Sequence, residues 1–167
     1  AEAGELARTY FGLEGTASPL TSERDANFRI RNEHGSHVLK IANPAEAPLV
    51  TNLQTMALLH IERVDPGMPV QRVLPSVNGR HEEIPRGADG RPMVLRLFSY
   101  LEGEPLSAVQ RSPAQRRAIG AALARLGIAL RDFTHPAADH ELVWDIKHAG
   151  RLRQYLPYIE GDDRRAL

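Results

Sequence analysis

The sequence contains no cysteine. That absence excludes a disulfide framework, cysteine-ligated zinc and thiol catalysis, and it fits a cytoplasmic setting. Charge of either sign is not in excess: 21 Lys and Arg face 21 Asp and Glu, a formal net charge of zero. A nucleic-acid-coating protein needs a basic surplus to displace counterions, so no nucleic-acid partner is expected. Long apolar runs are missing too. None approaches the roughly 20 residues of a membrane-spanning helix, so no membrane partner is expected. The first dozen residues are charged and broken by Gly4 and Gly12, unlike a signal peptide. There is no initiator Met, and residues 161–167 read as the first turn of another helix. Both ends are therefore expected to be cuts in a longer parent chain that carries additional domains. Glycine is absent between Gly15 and Gly35, so that stretch holds no glycine-rich phosphate loop.

What remains is ordinary globular material: 167 residues, 42% hydrophobic and 25% charged. That is about one domain at roughly 100–200 residues each, with enough chain to bury a core. The pattern changes near residue 105. Before it, short apolar runs alternate with turn signals. Residues 2–10 read as a short helix with Leu6, Tyr10 and Leu13 on one side. Residues 15–21, 27–31 and 37–41 read as strands, the last two joined by a hairpin through Asn32-Glu33-His34-Gly35-Ser36. Leu49, Leu53, Met56, Ala57, His60, Ile61 and Val64 recur at helical spacing and predict an amphipathic helix, stopped by Asp65-Pro66-Gly67. Residues 70–77 read as a strand, with turns at Asn78-Gly79 and Ala88-Asp89-Gly90. Residues 93–101 are mostly apolar on both faces and read as a central strand.

After Gly103 and Pro105 the period becomes 3.6. Ser112-Pro113-Ala114-Gln115 has the form of a capping box. Ile119, Ala122, Leu123, Leu126, Leu130 and Phe133 form the expected buried stripe of the helix that follows. A further helix is expected over residues 145–155, with Trp144 as a core anchor and Asp145 as its N-cap. The order, a mostly antiparallel sheet with one inserted helix and then a helical lobe, is an α+β plan. The divisions are 1–14, a helical segment; 15–103, the sheet lobe with its exit segment; and 104–167, part of the helical lobe.

Three places could carry chemistry. Lys40 lies in the otherwise apolar Val38-Leu39-Lys40-Ile41. It is either a solvated edge lysine or, in a cleft, a point charge for a polyphosphate. The loop Thr21-Ser22-Glu23-Arg24-Asp25-Ala26-Asn27 is either an inert polar loop or a set of backbone N–H groups turned toward an anion. The exit segment Phe98-Ser99-Tyr100-Leu101-Glu102-Gly103 is either a plain linker or, lying between two layers, an extended edge for a planar ligand. The seven histidines show no metal-ligand spacing, and His60 reads as a satisfied core histidine. No Gly-x-Ser-x-Gly motif occurs.

Taken together, the loop from Ser22 to Phe28, Val38-Leu39-Lys40-Ile41, the helix, the hydrophobic strand and Phe98-Ser99-Tyr100-Leu101-Glu102-Gly103-Glu104-Pro105-Leu106 resemble one family over essentially the whole chain. It is the aminoglycoside/choline/hydroxylysine phosphotransferase family, a branch of the protein-kinase-like fold. The likeness is closest to hydroxylysine-kinase-like domains, including those fused to class III, pyridoxal-phosphate-dependent aminotransferases. The resemblance implies a kinase-like N-lobe and the first helices of a C-lobe. It implies ATP and Mg²⁺ as cofactors, and transfer of the γ-phosphoryl to a hydroxyl of an amine-, amino-acid- or aminoglycoside-like small molecule. By the same resemblance Lys40 binds the α- and β-phosphates, and Ser22, Glu23, Arg24 and Asn27 belong to the nucleotide-positioning loop. Val38 covers the adenine face, Phe98 is the gatekeeper, and the backbones of Ser99 and Leu101 bond adenine.

Two departures stand out. Gln54 occupies the position where relatives carry a Glu that pairs with the lysine. It can accept a hydrogen bond from Lys40 but cannot form an ion pair. The His-x-Asp-x-x-x-x-Asn loop and the metal-binding Asp after it are missing. No catalytic or metal-ligating residue is therefore expected here, the metal ligands being expected in the missing part, and this chain alone is expected to be inactive. The alternative is a non-catalytic kinase-like module of a larger fusion enzyme. The expected exposure of apolar helix between Ile119 and Phe133 makes a homodimer a further expected partner arrangement.

Overall fold

The computed structural model describes residues 2–87, 90–142 and 145–161. Residues 1–137 form one compact unit and residues 138–167 a second. Trp144, the Ala88-Asp89 turn and the helical turn expected near the C-terminus lie outside the described residues.

The first unit is built on a five-stranded sheet, with β1 Thr16–Leu20, β2 Ala26–Asn32, β3 Gly35–Ile41, β4 Val73–Leu74 and β5 Leu95–Ser99. The strand order is β1-β2-β3-β5-β4, and every pair is antiparallel. The β2–β3 hairpin closes with Asn32 opposite Gly35, as the turn signal predicts. β5 lies inside the sheet and is buried from Leu95 to Phe98, as its two apolar faces predict.

Alternation along each strand gives the sheet two faces. One carries Ile30, Leu39 and Leu97, covered by α1 (Glu2–Phe11) through Ala3 and Ala7. Tyr10, expected on this face, is not part of the cluster; small alanines allow the helix to lie close to the strands. Gly12 ends α1 at φ +64°, returning its N–H to Arg8 O at 3.0 Å. Gly15 then passes β2 so closely that a Cβ would sit 2.6 Å from Arg31 O.

The other face is covered by α2 (Pro48–Val64), with Val38, Val73 and Phe98 packed against Leu58 and Leu59. The buried side of α2 is rotated from the one its apolar residues predict. Leu49, Met56 and Val64 are exposed, while Thr51 and Thr55 are each 1% exposed. The reason is that α2 lies over a buried charged residue of β5, described below. The Thr51 carbonyl accepts from that residue, and Thr55 Oγ1 donates to the same carbonyl at 3.3 Å.

Two further expectations are corrected in this unit. The strand expected over residues 70–77 is reduced to Val73–Leu74. Pro69 and Pro75 lack donors, and Arg72 N donates to the Ser99 hydroxyl at 2.8 Å instead of to a ladder carbonyl. α3 (Pro113–Ala129) starts at the predicted N-cap, where Ser112 Oγ accepts from Gln115 N at 3.1 Å. Its stripe is not buried along its length, however. Ile119 and Leu123 are exposed, while Ala129, Leu126 and Leu130 pack on Ile61 and Met68. Within this unit α3 meets α2 through its later turns only. There Arg125 pairs with Asp65, and His60 Nε2 lies 3.0 Å from Ala129 O. With Arg63 donating to its Nδ1, His60 has both ring nitrogens partnered, but it is half-buried at the surface and not the core histidine expected.

In the second unit the helix expected over residues 145–155 is a 3-10 helix, Ile146–Tyr158, containing Pro157 and burying no residue. Asp145 is its N-cap, accepting from Lys147 N at 3.0 Å, and Glu141 pairs with Arg151.

Candidate functional site

Register places one row of side chains across the second face of the sheet. Leu20 pairs with Asn27, Asn27 with Lys40, and Lys40 with Arg96. Two cations therefore stand opposite each other on neighbouring strands. Directly opposed residues have Cβ atoms about 4.5–5.5 Å apart, where like charges repel. The next row carries Val38 opposite Phe98.

The loop after β1 and the first turns of α2 wall this row to form a cavity of about 240 Å³. Ser22, Glu23, Arg24, Asn27, Lys40 and Gln54 all line it, so six residues singled out in the sequence come together. Asp25, Ala42, Glu46, Thr51 and Arg96 complete the lining. The loop is held by Asn43, whose N–H donates to Asp25 Oδ1 at 3.0 Å and whose Nδ2 donates to Arg24 O at 3.1 Å. Arg24 pairs with Glu46 at 3.3 Å. Loop and helix entry are thus tied without glycine.

Lys40 is half-buried. Burial, followed by the positive charge of Arg96, holds its pKa below the ordinary lysine value, with Asp25 acting in the opposite sense. Arg96 is 2% exposed. Its Nη1 donates to Thr51 O at 3.3 Å and to Gln54 Oε1 at 3.1 Å. Its Nε is buried without an acceptor, and Asn27 Oδ1 is buried without a donor. Burial likewise lowers the Arg96 pKa, opposed by Glu82 and Asp25. Both cations lie against one ring: Lys40 Nζ is 5.3 Å and Arg96 Cζ 5.4 Å from the Phe98 centroid.

Gln54 therefore bonds Arg96. The hydrogen bond from Lys40 that its helix position allowed is not formed. Val38 and Phe98 lie one row from the cavity, in the apolar cluster with Leu20 and Tyr100. Ser99 N–H is committed to Arg72 O at 2.9 Å. Its carbonyl accepts from Gln71 Nε2 at 3.2 Å, which leaves one lone pair. Leu101 is exposed beyond the end of β5. Arg29, from β2, clamps this exit segment. Its guanidinium lies 4.0 Å from the Tyr100 ring centroid and 3.4 Å from a Glu102 oxygen.

Sequence reasoning missed Arg96. The signal was present: it is the sole charged residue in the run 93–101, the same anomaly that drew attention to Lys40.

The sequence signature described as the Phosphotransferase enzyme family matches residues 16–166. The chain belongs to that family. Among curated phosphotransferase relatives it is 28% identical to hydroxylysine kinase of Danio rerio over 169 residues, covering 95% of this chain and 47% of the relative. It is 26% identical to hydroxylysine kinase of Mus musculus, covering 100% and 49%. The chain thus spans about half the length of these relatives. Among solved structures it is similar to a microcompartment-associated aminopropanol kinase, with TM-score 0.64, 19% identity and coverage of 86% and 45%. It is also similar to the amicoumacin kinase hAmiN in complex with AMP-PNP, Ca²⁺ and Ami, with TM-score 0.65, 14% identity and coverage of 96% and 47%. A spectinomycin phosphotransferase in complex with ADP and its antibiotic gives TM-score 0.63, 12% identity and coverage of 96% and 47%. At these identities the structures establish the fold, which is the kinase-like one of the phosphotransferase family.

Proposed function

We propose that the chain forms the ATP-binding part of a small-molecule phosphotransferase. One observation carries this reading: six sequence-selected residues, Lys40 among them, line one cavity beside a second buried cation. In this reading the polyphosphate lies between the loop of Ser22, Glu23, Arg24 and Asn27 and the ammonium of Lys40. The base extends over Val38 toward Phe98, and its amino group donates to the remaining lone pair of Ser99 O. The Leu101 N–H meets the ring beyond it. The acceptor is a hydroxyl on an amine-, amino-acid- or aminoglycoside-like molecule, in keeping with the substrates after which the relatives are named.

Residues 1–14, 15–103 and 104–167 then serve as a helical brace, the nucleotide lobe with its exit segment, and the start of the acceptor lobe. The setting is cytoplasmic; among the described residues no helix is long and apolar enough to cross a membrane. Mg²⁺ enters with the nucleotide and neutralises phosphate charge. The sequence has no His-x-Asp-x-x-x-x-Asn element to accept the acceptor's proton, so the chain by itself binds nucleotide without turning it over. ATP consumption with a hydroxylated amine acceptor tests this: the expected rate is background, and robust turnover would contradict it.

A second reading, a non-catalytic module of a larger fusion enzyme such as a class III aminotransferase, is favoured by one observation. Gln54 is engaged by Arg96 and leaves Lys40 without a clamp. An intact His-x-Asp loop in the parent sequence supports the kinase, and a degraded one supports the module. The exposed α3 residues Ile119 and Leu123 offer a face for a homodimer in either case; sedimentation of the chain tests it.

A further inference from the structure

Arg96 carries a full charge almost wholly out of water. Among the described residues it forms no ion pair. Its two acceptors, Thr51 O and Gln54 Oε1, are neutral, and its Nε has none. A buried charge without an ion-pair partner is costly, and an apolar residue of similar volume in its place is often neutral or stabilising. The surrounding residues lead the other way. The helix side over Arg96 carries threonine and glutamine instead of leucine, and one guanidinium nitrogen is fixed by the Thr51 backbone carbonyl and the Gln54 side chain.

Glu82 and Asp25 favour its charge from beyond ion-pair distance, and the carboxylates near it are engaged elsewhere. Arg24 occupies Glu46, Asn43 N–H occupies one oxygen of Asp25, and Asn52 donates to Glu82 Oε2 at 3.1 Å. Lys40 stands opposite, its charge disfavoured by burial first and by Arg96 second. Asn27 Oδ1 next to it is also orphaned, and turning that amide over would present a donor to an anion.

We propose that Arg96 is a second phosphate-binding cation. Together with Lys40 it makes the cavity selective for a nucleotide carrying a polyphosphate over a monophosphate. This rests on the nucleotide reading above and deepens it. Gln54 then has a positive role. A carboxylate there would satisfy Arg96 internally and remove it from the ligand, whereas an amide holds the guanidinium and leaves its charge free.

The test is calorimetric titration of adenosine, AMP, ATP and inorganic tripolyphosphate into the wild-type chain, Arg96→Met, Arg96→Lys and Gln54→Glu, with the melting temperature of each free protein. Arg96→Met is expected to lose about tenfold or more in affinity for ATP and tripolyphosphate. AMP and adenosine should change by less than about twofold. Its free melting temperature should hold or rise, because Met fills the space without a buried charge. Arg96→Lys should keep most of the affinity, and Gln54→Glu should reproduce the loss even if the Met variant fails to fold.

Unchanged tripolyphosphate binding in Arg96→Met or Gln54→Glu overturns the proposal. So does a uniform drop for all four ligands together with the melting temperature, the mark of a purely structural arginine. If the wild type binds adenosine but shows no preference for polyphosphate, the proposal falls and the nucleotide reading stands. If tripolyphosphate binds through Arg96 and no nucleoside adds affinity, the nucleotide reading falls and the anion site stands.

Discussion

The side-chain oxygen of Gln54 accepts a hydrogen bond from Arg96 at 3.1 Å, while Lys40, in the same cavity, has no hydrogen-bond acceptor among the described residues. The helix clamp on this face of the sheet therefore acts on the strand-five arginine. The strand-three lysine is left to be shaped by burial, by its cationic neighbour and by whatever anion enters.

That arrangement sets the pH dependence of binding. The free Lys40 pKa is lowered by burial first and by Arg96 second, and a bound phosphate raises it again. Binding then takes up a proton, and affinity for ATP falls as pH rises through the lowered lysine pKa. Titrations at increasing alkaline pH should show this fall begin below the ordinary lysine range. Lys40→Arg, whose side chain stays charged, should remove it.

The turn before β5 supplies an acid-stability prediction. Glu83 is 5% exposed and accepts from Ser76 Oγ at 2.7 Å and Asn78 Nδ2 at 3.1 Å. The Ser76 bond, helped by Asn78 and Arg80, holds its pKa below the usual carboxylate value. A carboxyl depressed in the folded state contributes stability above its unfolded pKa and loses it as pH falls through the folded one. Glu83→Gln should be less stable than wild type at neutral pH, by about 1–3 kcal/mol. The gap should close on acidification below the ordinary Glu range. Denaturant melts at several pH values check it.

The cap of α3 gives a local test. Ser112→Ala removes the acceptor for Gln115 N and should cost about 1 kcal/mol. Thermal melts should show the loss, and ATP titrations should be unchanged, since Ser112 is not among the cavity-lining residues.

Much of the fold was legible from short-range patterning. Alternation in Phe28-Arg29-Ile30 and the Asn32–Gly35 turn specify the β2–β3 hairpin, and Ser112-Pro113 starts α3 where expected. The hidden parts are those where burial is decided by a partner distant in sequence. Thr51 and Thr55 count as polar, so apolar spacing orients α2 by Leu49 and Met56; both threonines are buried where the helix packs over β5 and the Thr51 carbonyl accepts from Arg96. The stripe of α3 has helical periodicity, but periodicity does not say how much of it finds a surface to cover. In the site, Lys40 and its loop were readable as polar anomalies near strands. Arg96 was equally anomalous, but pairing it with Lys40 required the β3–β5 register, which no local pattern encodes.

The central claim is that the cavity around Lys40 receives the polyphosphate of ATP. The most direct measurement is an amide-resolved NMR titration of the chain with ATP. The account predicts saturable shifts concentrated in the loop from Ser22 to Asn27, at Lys40, Gln54 and Arg96, and at Ser99 and Leu101, with the loop shifts abolished in Lys40→Ala. Saturable shifts confined to other surfaces, or loop shifts that persist undiminished in Lys40→Ala, would contradict it.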